Sequence, residues 1–256
     1  MNTNKLDRRA FLLRACTSGS VLLLAGCERL SRSEWFPKVL DSAEKLTQAT
    51  QHLIAPRTAM AQEFTAADLS PQFRSNGTSN PGNPQYQVLA ANKFADYRLQ
   101  VGGLVAHPAA FSLSGLRSLS SRTQITRHDC VEGWSAIGKW KGTPLSVVLD
   151  RVQPKPEARY VVFYCADPMD EQGTRYYESI DMEDAYHPQT ILAYDLNDQP
   201  LPIANGAPVR VRIERQLGYK MAKYIMGIQL VDSFANIGGG RGGYWEDQGY
   251  EWYAGI

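Results

Sequence analysis

Cys130 closes the run Gln124-Ile125-Thr126-Arg127-His128-Asp129-Cys130, and a thiol beside a histidine and an aspartate invites a chemical reading. A cysteine hydrolase would need a base facing the sulfur, yet adjacent residues of a strand point to opposite faces. A zinc site would need closely spaced ligand pairs, and the chain has no CxxC or HxxxH spacing. A disulfide with Cys165 is open to the chain in an oxidising compartment. A plain buried core cysteine is the remaining reading. Elsewhere, Asn205-Gly206 on its own reads as a turn, and Arg210 as an arginine on a surface strand. The glycine cluster Gly238–Gly243 contains G-x-G spacing but follows no βαβ unit, which argues against a dinucleotide site.

Two separated stretches say more. Cys130-Val131-Glu132-Gly133-Trp134-Ser135, followed by Trp140, Gly142, Pro144 and Leu145, resembles the molybdenum-ligand segment of the sulfite oxidase family. Asn205-Gly206-Ala207-Pro208-Val209-Arg210, followed by Gly218-Tyr219-Lys220-Met221-Ala222-Lys223-Tyr224-Ile225, resembles that family's pterin-phosphate segment in order and spacing. The resemblance runs from about Tyr97 to Val231. It is closest to the bacterial periplasmic branch that includes the catalytic subunit of methionine sulfoxide reductase.

The resemblance implies an α+β protein of the sulfite oxidase-type molybdopterin-binding fold, with a mixed, mostly-β core and short helices. It implies molybdenum-molybdopterin as cofactor and Cys130 as the thiolate ligand of the metal, a soft donor for a heavy ion. Arg210 would then offer a fork of donors to the pterin phosphate, and Lys223 a compact charge. Asn205 would serve the pterin edge or the phosphate, and Met221 and Ala222 would give backbone N–H groups. Asn76 lies in Phe73-Arg74-Ser75-Asn76-Gly77, similar to an Arg-Asn segment that contacts the pterin in sulfite oxidases. Cys165 falls 35 residues after Cys130, where the methionine sulfoxide reductase branch carries a cofactor-contacting threonine. A packed residue at or beside the site suits this second thiol better than a disulfide, because the metal needs Cys130 free. His128 is open between a substrate-side donor and packing, while Trp134 and Trp140 read as packing around the ligand loop.

The elements that must place these residues alternate irregularly. Strands are expected at Tyr97–Val101 (ended by Gly102-Gly103), Gln124–Arg127, Tyr160–Cys165, Thr190–Tyr194, Val209–Ile213 and Tyr224–Val231. Helices are expected at Ser114–Leu119, behind a serine cap, and at Pro144–Val152, with proline in the first turn. Residues 70–85 are rich in Pro, Gly, Ser and Asn and read as loop. Residues 34–54 show helical spacing ended by Pro56, either a spacer or a helix packed on the body. The last 19 residues, glycine-rich and aromatic, read as an ordered tail packed on the surface.

The first 27 residues read as an address. Lys5, Arg8, Arg9 and Arg14 precede the short apolar run Val21–Ala25, and Arg8-Arg9-Ala10-Phe11-Leu12 has the twin-arginine pattern for export of folded proteins. Leu24-Ala25-Gly26-Cys27 resembles a lipobox, with a plain secretory signal as the alternative. The domain plan is therefore a signal at 1–26, a tether or helix at 27–69 and an oxidoreductase domain at 70–256. The full chain has 27 Lys+Arg against 26 Asp+Glu; losing four basic residues and one acidic residue with the signal leaves 23 against 25. Such a balance argues against a nucleic-acid partner. Four cysteines in 256 residues exclude a disulfide scaffold.

The expected activity is oxygen-atom transfer to or from a small sulfur-type substrate, as sulfite oxidation or sulfoxide reduction. The chain has no CxxCH haem motif, so electrons would pass to a separate haem or quinone-linked carrier. Only about 25 residues follow Val231, too few for the dimerisation domain of vertebrate-type sulfite oxidases, which points to a monomer. The expected location is the periplasm, with membrane contact only through a lipid on Cys27. The rivals are a cofactor-free binding lipoprotein on the same scaffold and a Cys130 hydrolase.

Overall fold

The computed structural model describes Trp35, Leu46, Ala49, Thr50 and residues 58–256. The chain divides into two compact units, Met1–Ile54 and Ala55–Ile256. The export signal, Cys27 and most of the helix expected at 34–54 lie outside the described residues. Leu46, Ala49 and Thr50 are helical, and the Thr50 hydroxyl donates to the Leu46 carbonyl at 2.7 Å. The larger unit begins at Ala55, ahead of the boundary expected at residue 70. Its leading segment is tied to the sheets by the Phe64 N–H on the Ile125 carbonyl (2.8 Å) and the Ser70 N–H on the Ile137 carbonyl (3.1 Å). No helix among the described residues is long and apolar enough to cross a membrane.

Ten strands follow: β1 (Arg98–Gly103), β2 (Ala109–Ser112), β3 (Arg122–Cys130), β4 (Trp134–Pro144), β5 (Tyr160–Pro168), β6 (Arg175–Asp181), β7 (Ile191–Leu196), β8 (Gln199–Pro200), β9 (Arg210–Arg212) and β10 (Ile225–Val231). One sheet runs β2-β1-β10-β5-β6, with β1 and β10 parallel and the other pairs antiparallel. The second runs β3-β4-β7-β8, with β9 also paired to β7. Five short helices accompany them: α1 (Pro84–Ala91), α2 (Leu113–Ser118), α3 (Leu145–Val152), α4 (Met182–Tyr186) and α5 (Tyr244–Asp247). The mixed, mostly-β architecture agrees with the expected fold class.

Helix α3 shows why these elements pack. Leu145, Val148, Leu149 and Val152 stand at i, i+3, i+4 and i+7, and all four are buried in the main core beside Leu99, Phe163 and Ile228. Each buried side chain of this kind contributes about 2 kcal/mol. Pro144 precedes the helix as its cap residue, one position earlier than expected. Helix α2 starts behind Ser112, whose hydroxyl accepts from the Gly115 N–H at 2.9 Å. Gly102 and Gly103 are the last two residues of β1, and only glycine suits position 103, where φ is +81° and a side chain would strike the Leu230 carbonyl of β10.

Three elements escape the periodicity. Strand β6 buries Glu178 and Ser179 along with its apolar residues, so no alternation marks it. Strand β4 carries two glycines and two lysines, yet pairs with β3 from Trp134 to Gly142. Helix α1 cuts into the expected loop, started by Asn83, whose carbonyl oxygen accepts from the Tyr86 N–H at 2.8 Å.

Candidate molybdopterin site

Cys130 is the last residue of β3, opposite Trp134 at the start of β4. A tight turn joins the two strands: the Gly133 N–H donates to the Cys130 carbonyl at 3.0 Å, and Gly133 takes φ +82°. The turn leaves the Cys130 thiol half-buried in the wall of an open cavity of about 210 Å³. Burial pushes this thiol up from its ordinary value, against a hydrogen bond from the Glu132 backbone and the nearby charges of Arg74 and Arg210. It becomes a thiolate readily only when a cation shares the cavity.

Asn76, Asp167, Met221, Ala222 and Lys223 line the same cavity. Lys223 is buried and donates to the carbonyls of Asn76 (2.6 Å), Thr78 (2.5 Å) and Ala204 (3.1 Å), with the Ser75 hydroxyl at 3.4 Å. Among the described residues no carboxylate lies within ion-pair distance of it. Burial and then Arg210 push its ammonium down to about 7, while Asp167, Glu132 and Cys130 act the other way. Lys223 thus pins the segment 75–78 against the cavity and brings an uncompensated charge to it.

Asn205 and Gly206 form the turn beneath Lys223. Gly206 takes φ +112°, and a Cβ there would stand 2.9 Å from the Lys223 Cβ. The dipeptide is a turn, and the turn leaves the room that the lysine side chain takes. Asn205 itself is buried, with its amide nitrogen 3.5 Å from the Arg74 carbonyl, and it is outside the cavity lining.

Arg210 stands outside the cavity lining. It is fully buried in β9, behind the cavity wall, and its fork is occupied: Nη1 donates to the Asn205 carbonyl at 3.0 Å and Nη2 to the Met221 carbonyl at 3.2 Å. Only its buried Nε has no partner. Burial, then Arg212, pushes Arg210 down to about 9. It acts on the cavity as a buried charge and as a clamp between the Asn205 turn and the segment that carries Met221 and Lys223. Met221 and Ala222 line the cavity, but their N–H groups already donate at 3.1 Å to Gly218 and Lys220 carbonyls. They shape the wall and donate none of the expected hydrogen bonds.

Cys165 lies in β5. It is buried in the main core, outside the cavity lining, and burial holds its thiol well above its ordinary range. Cys130 and Cys165 are both free. The residue that β5 does deliver to the cavity is Asp167, beyond an irregularity in the β5–β6 pairing between Tyr164 and Pro168. Asp167 is 5 % exposed and its Oδ1 has no partner. Burial pushes its carboxyl up to about 6, against its own backbone hydrogen bond and Lys223.

His128 belongs to packing. It is buried behind Gly218, its Nδ1 accepts from Arg212 Nη1 at 2.9 Å, and it lies outside the cavity lining. Burial and the three cations Arg212, Arg210 and Lys223 keep it neutral. Trp140 also packs as expected, fully buried with Phe73 edge-on at 5.0 Å and the Arg212 guanidinium over its ring at 4.5 Å.

The residues present fit a molybdopterin. A thiol stands at one wall, and a buried lysine and arginine without carboxylate partners favour an anion such as a phosphate. Asp167 supplies an unpartnered acceptor suited to the N–H groups of a pterin edge. No cluster of three His, Cys, Asp or Glu side chains competes for a metal among the described residues.

A cysteine thiol and a buried cation at one cavity suit a pterin-dependent metal enzyme, and the comparisons name that class. Residues 86–236 match the family described as oxidoreductase molybdopterin binding domain, and the chain belongs to that family. It is a molybdopterin-dependent oxidoreductase of the sulfite oxidase family, with molybdenum-molybdopterin as its cofactor. A protein of Azospira oryzae provisionally named a protein-methionine-sulfoxide reductase subunit is 38 % identical over 248 residues, 97 % of this chain and 87 % of that protein. The protein-methionine-sulfoxide reductase catalytic subunit of Xanthomonas axonopodis is 38 % identical over 149 residues, 55 % of this chain and 46 % of its own length. The sulfane dehydrogenase SoxCD of Paracoccus pantotrophus is similar at a TM-score of 0.49 and 20 % identity, over 70 % of this chain and 46 % of that one.

Two groups of site residues escaped the sequence reading. Asp167 in Cys165-Ala166-Asp167-Pro168 looks like the polar end of a buried strand. Trp245 and Tyr250 of the C-terminal segment also line the cavity, and only their aromatic type hinted at it.

Proposed function

We propose that this chain is the catalytic subunit of a bacterial envelope sulfoxide reductase. The observation that carries the reading is one cavity holding the half-buried thiol of Cys130, the unpaired ammonium of Lys223 and the unpartnered carboxyl of Asp167. The names of the relatives from Azospira and Xanthomonas favour sulfoxide reduction over sulfite oxidation. The overall reaction is R–S(=O)–CH3 + 2 e− + 2 H+ → R–S–CH3 + H2O.

Bound molybdenum-molybdopterin supplies the two-electron redox chemistry and the acceptance of the oxygen atom. Cys130 would hold the metal through its sulfur, losing its proton to water as the bond forms. Lys223, backed by Arg210, would hold the phosphate end. Asp167 would orient the pterin edge. Met221 and Ala222 close the wall beside Lys223. The twin-arginine segment supports export of the loaded, folded protein to the periplasm, and Cys27 supports a lipid anchor there. A separate haem or quinone-linked membrane protein would supply the electrons.

Protein purified from the envelope of its host is expected to carry about one equivalent of molybdenum. It should oxidise a reduced viologen with a methyl sulfoxide and be inert with sulfite and ferricyanide. Sulfite oxidation without sulfoxide reduction would reverse the reading, and molybdenum below about a tenth of an equivalent would favour a cofactor-free binding protein. Cys130→Ser should abolish turnover and lower the metal content; full activity in that variant would overturn the ligand assignment.

A further inference from the structure

We infer that the C-terminal segment is the specificity wall of the site, with Trp245 and Tyr250 as the residues that receive the methyl-sulfur end of the substrate. The inference rests on the sulfoxide reductase reading and deepens it.

Three observations on three separate stretches of chain carry it. Trp245, Tyr250 and Tyr219 line the cavity that Cys130 also lines. The Trp245 and Tyr250 rings stack at 5.4 Å with 29° between planes, and Tyr219 meets Tyr250 edge-on at 5.2 Å. The three rings make one continuous aromatic face. Tyr219 follows Gly218, which also lines the cavity and where an added Cβ would stand 3.2 Å from the Asp129 carbonyl. At its outer end Tyr250 is 40 % exposed, which carries the face from the cavity to the surface.

The segment is built to hold that face still. Glu246, the residue after Trp245, is fully buried, and its carboxylate accepts from Lys220 Nζ at 2.6 Å. The next residue, Asp247, accepts from the Gly239 N–H at 2.7 Å and from the Tyr177 hydroxyl. The tail is therefore an ordered segment packed on the body and anchored by buried side chains. Aromatic faces attract the sulfur and methyl groups of thioethers and sulfoxides, with sulfur about 5 Å from the ring. They give nothing to a small hydrated dianion such as sulfite, whose charge would lose water against them. The wall thus selects an apolar-flanked sulfoxide.

The test compares the wild-type holoenzyme with Trp245→Ala, Tyr250→Leu and the conservative Trp245→Phe, using reduced viologen and N-acetylmethionine sulfoxide. Trp245→Ala is expected to raise KM by about threefold to tenfold with kcat within twofold, at unchanged molybdenum content. Tyr250→Leu should act in the same direction, and Trp245→Phe should recover most of the loss. An unchanged KM in Trp245→Ala overturns the inference. So does a fall in molybdenum content, which would assign the wall to the cofactor. If Trp245→Ala is not recovered folded, an unchanged KM in Tyr250→Leu overturns it equally. A wild-type enzyme that turns over no sulfoxide refutes the proposed function itself, whereas an active wild type with indifferent variants refutes the wall alone.

Discussion

At the scale of single residues, the site was legible where chemistry demands a rare residue type and opaque where it does not. Cys130 and Lys223 stand out because a thiolate ligand and a phosphate cation have few substitutes. Asp167 was hidden because an aspartate before a proline is an ordinary way to end a strand, and only the irregularity of β5 turns it inward. Arg210 was visible, but its partners were not; a fork of donors serves two carbonyls as well as it serves a phosphate. The charges of Lys223 and Asp167 make a prediction for protein produced without cofactor. Lys223 is pushed from 10.5 down to about 7, so between those values the unfolded chain binds more protons and stability rises with pH. Asp167 is pushed from 3.8 up to about 6, so its contribution is present below pH 3.8 and is lost as pH rises to about 6. Lys223→Met should therefore flatten the rise between pH 7 and 10 by up to about 5 kcal/mol in urea unfolding, and Asp167→Asn should flatten the fall between pH 4 and 6. Curves for Lys223→Met parallel to wild type would show that the ammonium is already compensated in the folded protein.

At the scale of elements, local signals were reliable where one element could satisfy itself and failed where satisfaction came from a distance. Helix α3 announces itself through four apolar residues at helical spacing. Strand β6 does not, because its buried Glu178 is acceptable only with Lys220 from another stretch of chain beside it. The Asn205-Gly206 turn was read correctly as a turn, and its further duty, leaving room for Lys223, depends on a contact that local sequence cannot show. That duty can be tested. Gly206→Ala asks a Cβ to share space with the Lys223 side chain at φ +112°. The strain and the crowding together should cost about 2 kcal/mol in unfolding free energy. Lys223 should shift with it, and the recovered molybdenum content should fall below that of wild type. A Gly206→Ala protein as stable and as well loaded as wild type would remove the turn from the site.

At the scale of the whole molecule, the fold class followed from many short strands punctuated by glycine and proline. The joining of distant segments into one site did not follow. The link is a fully buried charge cluster in which Lys220 Nζ donates to Glu178 at 2.5 Å and to Glu246 at 2.6 Å. It ties β6, the turn before Lys223 and the C-terminal helix α5 together. Burial, and then the charge of Glu246, oppose ionisation of Glu178, while Lys220 favours it. Such a cluster specifies an arrangement more than it stabilises one, because each ion has lost its water. Removing the lysine alone should therefore be worse than removing the cluster. Lys220→Met leaves two carboxyl groups facing each other in the interior and should cost about 3–5 kcal/mol. The triple variant Lys220→Met, Glu178→Gln, Glu246→Gln keeps similar volumes without charge and should recover much of that loss in denaturant midpoint. Its substrate KM should still rise, because α5 and the Trp245 ring would lose their buried tie to the turn before Lys223. A triple variant less stable than Lys220→Met would mean that the cluster contributes net stability, and the tail's position would then have to be explained by its aromatic packing alone.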